Sequence, residues 1–327
     1  MGLKHIAALA AIGSLFAIGN AHAQSANSWK PTGNVEFVVG AGAGGENDRI
    51  ARAIQRALTK EHLVDSMTVL NRPGAGQIIA MNYLAGKKGD ANEIGLASGS
   101  FINAIARKGS NLNTQLTPLI KLFDAYQCFF TNVDSKYKTM VDVRERLKAD
   151  PTSVTFAFPV GLGSPLHISV VNVGKAVGAP ASKLVTVVFD SGTDVAAQAA
   201  GNHIDVGETS IGSAMPLIQG GKLRMLGIAS PERLPGELAK YPTLREQGLD
   251  VVTANSYTVL VPNGFTQEQI AFWTQALDTV LVDPDFKLDL ERNFWTLRPI
   301  RYPEAAKWMQ DDYDENRKVL TELGMLQ

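Results

Sequence analysis

Residues 40–52 read GAGAGGENDRIAR, and the fold turns on what this stretch forms. Gly40, Gly42 and Gly45 have the G-x-G-x-x-G spacing of a dinucleotide-binding turn. An apolar run over residues 35–39 precedes them, and Ile50, Ala53, Ile54, Ala57 and Leu58 follow at helical spacing. The segment is therefore a strand, a glycine loop and a helix. Residues 67–70 form a second short apolar run, ended by Asn71-Arg72-Pro73-Gly74-Ala75-Gly76, and residues 94–97 a third, ended by Ser98-Gly99-Ser100. Repetition of strand, loop and helix predicts an α/β fold with a parallel sheet.

The middle of the chain repeats this order. Thr139 caps a helical pattern that stops at Asp150-Pro151, and residues 154–158 read as a strand followed by a loop and a helix carrying His167. Residues 184–189 lead into Asp190-Ser191-Gly192-Thr193, residues 204–206 lead into Glu208-Thr209-Ser210, and 223–229 is one more apolar run. This predicts a second α/β unit. Farther on, Thr266 to Gln269 has the form of a capping box, with Ile270, Trp273, Leu277, Val280 and Leu281 on one face behind it. Asp283-Pro284 ends that helix, and two further helical stretches close the chain.

Loops that join a strand end to a helix start bind anions. The first N–H groups of a helix are unpaired and carry about half a positive charge, and glycine lets the backbone approach a ligand closely. A nucleotide phosphate fits poorly. The second strand ends in Asn71-Arg72 where a ribose-binding acid is required, and Gly45 is followed by Glu46-Asn47 instead of the Lys and Ser/Thr of a phosphate loop. Side chains near the loops are small and neutral: Ser98, Ser100, Asn103, Ser164, Ser191, Thr193, Thr209 and Ser210. Hydroxyls and amides satisfy carboxylate oxygens without a full countercharge, so a small carboxylate is the expected ligand. Arg72 either pairs with a second carboxylate or makes a structural salt bridge.

Composition excludes other classes. The 327 residues are 45% hydrophobic and 19% charged with a formal net charge of -1, and no Lys/Arg cluster provides a nucleic-acid footprint. Lys4 and His5, an apolar run over residues 6–18 and Ala21-His22-Ala23 make residues 1–23 an export signal, with cleavage expected after Ala23. Cys128 is the single cysteine, so no internal disulfide forms, and its apolar surroundings make it a buried thiol. No H-x-x-x-H or H-E-x-x-H spacing occurs, and His203-Ile204-Asp205 is only a weak metal hint. No metal or cofactor is expected. Ser164 and His167 are close in sequence, which makes a secreted serine-type hydrolase the alternative from a different class, although Gly161-Leu162-Gly163-Ser164-Pro165 is not a nucleophile elbow.

Five ordered segments together resemble the substrate-binding proteins of tripartite tricarboxylate transporters, the Bug family of periplasmic receptors. GAGAGGENDRIAR is similar to P-G-G-x-x-D-x-x-A-R, NRPGAG to N-[KR]-P-G-G-G, and GLGSPLHI to G-x-G-S-x-x-H. FDSGTDVAAQAAGNHIDV and PLIQGGKLRMLGIAS are similar to two later family segments. The resemblance implies a two-lobed periplasmic-binding-protein fold of type II-like form, each lobe a mainly parallel sheet flanked by helices. The first lobe would comprise residues 24–127 plus 256–327 and the second residues 128–255, with crossings near 126–132 and 252–257. It further implies a monomeric receptor, not an enzyme, that closes on a di- or tricarboxylate and delivers it to membrane permease subunits. An aromatic dicarboxylate is the alternative, with Phe101 and Phe158 as walls. Carried over by position, the first clamp loop is Gly42 to Asn47, with Gly44, Gly45, Glu46 and Asn47 as ligand-facing residues and Asp48 a capping residue of the helix, and Ser100, Asn103, Ser164, His167, Ser191, Thr193 and Thr209 face the cleft; Ser98 from the loop reading and Phe101 as a wall complete the candidate set. Thr209 stands where many relatives carry an Asp, which argues against an amino-acid ligand.

Overall fold

The computed structural model describes residues 29–159 and 161–326. The export signal and its cleavage after Ala23 lie outside these residues. The chain begins with β1 (Asn34–Val39), α1 (Glu46–Lys60), β2 (Ser66–Asn71), α2 (Ile78–Ala85), β3 (Glu93–Ser98) and α3 (Gly99–Lys108). β1 pairs in parallel with both β2 and β3. The long strand β4 (Leu116–Asn132) follows, then α4 (Met140–Ala149), β5 (Thr155–Pro159), α5 (Pro165–Ala176), β6 (Val185–Phe189), α6 (Gly192–Ala200), β7 (Val206–Ser210), α7 (Ile211–Gln219) and β8 (Leu223–Ile228). β9 (Ala254–Pro262), α8 (Gln267–Val282), α9 (Pro284–Asn293), β10 (Thr296–Arg301) and α10 (Glu304–Glu322) complete the chain.

Two groups of strands meet on β4. Its first part pairs antiparallel with β9 and β10, and β9 continues onto β3. Its last residues pair antiparallel with β7 and β8, and β7 continues in parallel onto β5 and β6. Parallel pairing is thus confined to β2-β1-β3 and β6-β5-β7, while every pair involving β4 or β9 is antiparallel. The sheets are mixed where the sequence suggested mainly parallel ones, because glycine loops announce strand-to-helix units but nothing local announces a strand that returns beside its neighbour.

Local rules explain most elements. α1 buries Ile50, Ala53, Ile54, Ala57 and Leu58 on one face and leaves Arg56 and Lys60 outside, so it packs as an amphipathic helix. Capping boxes begin α4 at Thr139/Asp142 and α8 at Thr266/Gln269, each satisfying two otherwise open donors. A first core gathers Phe37, Ile50, Leu96, Phe123, Tyr257, Trp273 and Trp295, with the Phe123 and Trp295 rings stacked at 4.8 Å. The other group of strands packs Phe129, Phe156, Phe158 and Val170 on one face and Phe130, Val195, Met215 and Ile228 on the other. Adjacent residues of β4 thus serve opposite faces, as strand geometry requires.

β4 also carries a buried ion pair. Lys121 Nζ lies 2.7 Å from Asp124 Oδ2, and Asp124 Oδ1 accepts a 2.6 Å hydrogen bond from the Ser256 hydroxyl of β9. The pair therefore joins the two strands on which both groups depend.

Candidate functional site

A cavity of about 350 Å³ opens where the two groups of strands face each other. One wall comprises Gly40 and Ala41 after β1, Glu46 and Asn47 at the start of α1, Gln77 before α2, and Ser98 and Ser100 at the β3 to α3 junction. The opposite wall comprises Pro159, Pro165, Leu166, Asp190, Ser191, Gly192, Thr209, Ser210 and Ser213. Gln127 of β4 and the run from Thr253 to Asn255 entering β9 form the floor. The N-terminal ends of α1, α3, α5, α6 and α7 all contribute lining residues, so open N–H groups and the positive ends of several helices surround one small volume.

Gln77 organises the first wall. It is buried, with φ 75°, and its Oε1 accepts from Asn47 Nδ2 at 3.2 Å and from the Ser98 N–H at 3.1 Å, while its Nε2 donates to the Ser98 hydroxyl at 2.5 Å. One amide thereby ties together the loops that follow β1, β2 and β3. Gly40 makes room for it, since a Cβ there would lie 2.5 Å from the Gln77 Cβ. On the second wall the Ser191 hydroxyl caps α6 by accepting the Asp194 N–H. A Cβ at Gly192 would approach the Thr209 hydroxyl oxygen to 2.0 Å, so glycine is required for these two loops to meet.

Six of the thirteen residues expected from sequence line the cavity: Glu46, Asn47, Ser98, Ser100, Ser191 and Thr209. The other seven lie elsewhere. Gly44, with φ +80°, donates its N–H to Asp48 Oδ2 at 2.9 Å, and Gly45 is the N-cap of α1, so Asp48 sits in the first turn and serves the loop from there. Phe101 is fully buried in the core behind α3, and Asn103 donates to Asn316 Oδ1 of α10 at 3.4 Å. Ser164 caps α5 through the His167 N–H, and His167 Nδ1 accepts the Gly163 N–H at 3.0 Å while its ring packs on Phe158. Thr193 is exposed and exchanges a hydrogen bond with the Ser191 hydroxyl. Phe158 lies in the core and not on the cavity wall. Arg72 is absent from the wall too, its guanidinium lying 3.8 Å over the Tyr83 ring. The Gln77, Gln127, Asp190, Ser213 and Asn255 side chains were not anticipated.

These placements settle the local chemistry. The Ser164 hydroxyl and the His167 ring each serve backbone N–H groups instead of each other, and burial holds the imidazole below its usual range. The Asp48 carboxyl is lowered to about 2, first by the hydrogen bond from Arg52, with the Gly44 N–H and Asn71 assisting. At His203-Ile204-Asp205 the carboxylate accepts the Thr155 N–H, and no group of three or more His, Cys, Asp or Glu side chains among the described residues could hold a metal. The cavity wall includes two acidic side chains, Glu46 and Asp190, and no Lys or Arg among the described residues.

A cleft between two α/β walls, lined by hydroxyls, amides and helix starts, has the form of a binding site for a small solute. The sequence matches the Tripartite tricarboxylate transporter family receptor over residues 50–325, and the chain belongs to that family, whose members are receptors and not enzymes. It is 24% identical over 279 residues to Protein BugT of Bordetella pertussis, covering 84% of each chain. A TctC solute binding protein from Polaromonas has a similar fold, with TM-score 0.77 and 21% identity over 89% of this chain and 99% of that one. So does R. palustris Rpa4515, solved with adipate, with TM-score 0.70 and 22% identity over 90% and 98% of the chains.

Proposed function

We propose that this chain is an exported periplasmic receptor that encloses a small organic carboxylate between two lobes and presents it to the membrane subunits of a tripartite transporter. The lobes are residues 24–127 with 256–327, and residues 128–255, joined where β4 and β9 cross. The observation that carries this reading is the convergence of five helix N-terminal ends and an array of hydroxyls and amides on one cavity. The adipate held by the R. palustris relative supports a carboxylate. Between the finer readings, an aliphatic acid is favoured over an aromatic one, because Phe101 and Phe158 are buried away from the wall.

A thermal-shift screen of the mature chain against aliphatic and aromatic carboxylates, amino acids and sugars tests the reading. A carboxylate at a hundred times its Kd stabilises the fold by about 2.7 kcal/mol and raises the unfolding midpoint. A panel in which only sugars raise it contradicts the carboxylate assignment.

A further inference from the structure

Five helix starts border the cavity, and four of them bring polar side chains to it: Glu46 and Asn47 on α1, Ser100 on α3, Ser191 before α6 and Ser213 on α7. The start of α5 differs. Its lining residues are Pro165 and Leu166. Pro165 has no N–H to offer, and the His167 N–H is already given to the Ser164 hydroxyl. This helix start therefore has little with which to grip a carboxylate oxygen.

It offers hydrocarbon instead. Leu166 is the largest side chain made only of carbon and hydrogen among the described lining residues, and Pro159, from the end of β5, lies on the same wall. The His167 ring packs on Phe158, which brings this end of β5 and the first turn of α5 together. Leu166 is half-buried: it packs against the core that contains Phe158 and Val170, and it borders the cavity. The proline-led, Ser164-capped first turn fixes the backbone that carries it. An apolar corner in an otherwise polar lining accommodates the part of a ligand that has no hydrogen bonds to make. A hydroxyl placed there would lose water and gain no partner.

We propose that Leu166 is a specificity-determining residue: the hydrocarbon chain of the carboxylate ligand lies against Leu166, Pro159 and Pro165, so an acid with an unsubstituted methylene chain is selected over a hydroxylated acid of equal length. Hydroxyls and amides on the rest of the lining are left to hold the carboxylate oxygens. The inference rests on the carboxylate-receptor reading above and narrows its ligand class from aliphatic acids in general to unsubstituted ones.

Titration calorimetry on the mature chain tests it with pairs of equal length: succinate with malate, glutarate with 2-hydroxyglutarate, and butanoate with 3-hydroxybutanoate. The expected result is that the plain member of a pair binds at least about tenfold tighter than the hydroxylated one. Leu166→Asn, which puts an amide where the hydrocarbon was, should bring that ratio to within about threefold, with the unliganded unfolding midpoint as the control for folding. A wild-type chain that binds the hydroxylated member as tightly or more tightly overturns the inference and leaves the receptor reading intact. A ratio unchanged in folded Leu166→Asn overturns the role of Leu166. If that variant does not fold, Leu166→Ala replaces it: the plain acid is expected to weaken by at least about tenfold and the hydroxylated one by less, and equal weakening overturns the role. Binding of none of these acids overturns the receptor reading and the inference together.

Discussion

Glu208 is fully buried on β7, one residue before the cavity-lining Thr209. Burial raises its carboxyl well above the usual range; Ser169 is the polar neighbour that favours ionisation, yet neither carboxylate oxygen has a hydrogen bond of ordinary geometry. The native state therefore retains a proton that the unfolded chain loses above its ordinary carboxylate value of 4.5. Stability must fall as pH rises from that value toward the native one, by up to about 1.4 kcal/mol per pH unit from this group. Denaturant unfolding at pH 5 and pH 8 should show the wild type losing stability relative to Glu208→Gln; parallel profiles would contradict the assignment. Nothing in Val206-Gly207-Glu208-Thr209-Ser210 signals this burial, because alternation along a strand does not say which face is covered. The same limit hid Gln77 and Asn255, which reach the cavity from a left-handed turn and a crossing strand, whereas Ser98, Ser191 and Thr209 were legible because they lie at or within two residues of the C-terminal ends of strands that run into helices.

At the scale of elements, β4 and β9 bear the structure between the two walls. The buried Lys121–Asp124 pair of β4 is completed by Ser256 of β9, so removing Asp124 leaves the Lys121 ammonium desolvated without its hydrogen-bonded partner. Asp124→Ala should cost about 3 to 5 kcal/mol in chemical denaturation, and the double replacement Lys121→Met with Asp124→Leu much less. A loss under about 1 kcal/mol for the single variant would show that the pair is hydrated. The strand-loop-helix units and both capping boxes were readable from local pattern, since each rests on contacts within a few residues. The order β9-β4-β7 was not, and neither was β10, whose alternate residues are exposed; pairing between strands far apart in the sequence leaves no local trace.

For the whole molecule, the central claim is that one ligand is held by both walls at once. The first wall is organised by Gln77 and the second by the contact of Gly192 with Thr209. Separate walls each capable of binding would lose affinity only when their own residues change. Walls that close together lose it from either side, because contacts on each are realised only in the shared closed state. The direct measurement is calorimetric Kd for the strongest acid from the panel, taken on the wild type, Gln77→Ala and Thr209→Val, with unliganded unfolding midpoints as the control for folding. The account predicts that each variant weakens binding by about tenfold or more. Full affinity retained in a folded Gln77→Ala or a folded Thr209→Val would contradict it.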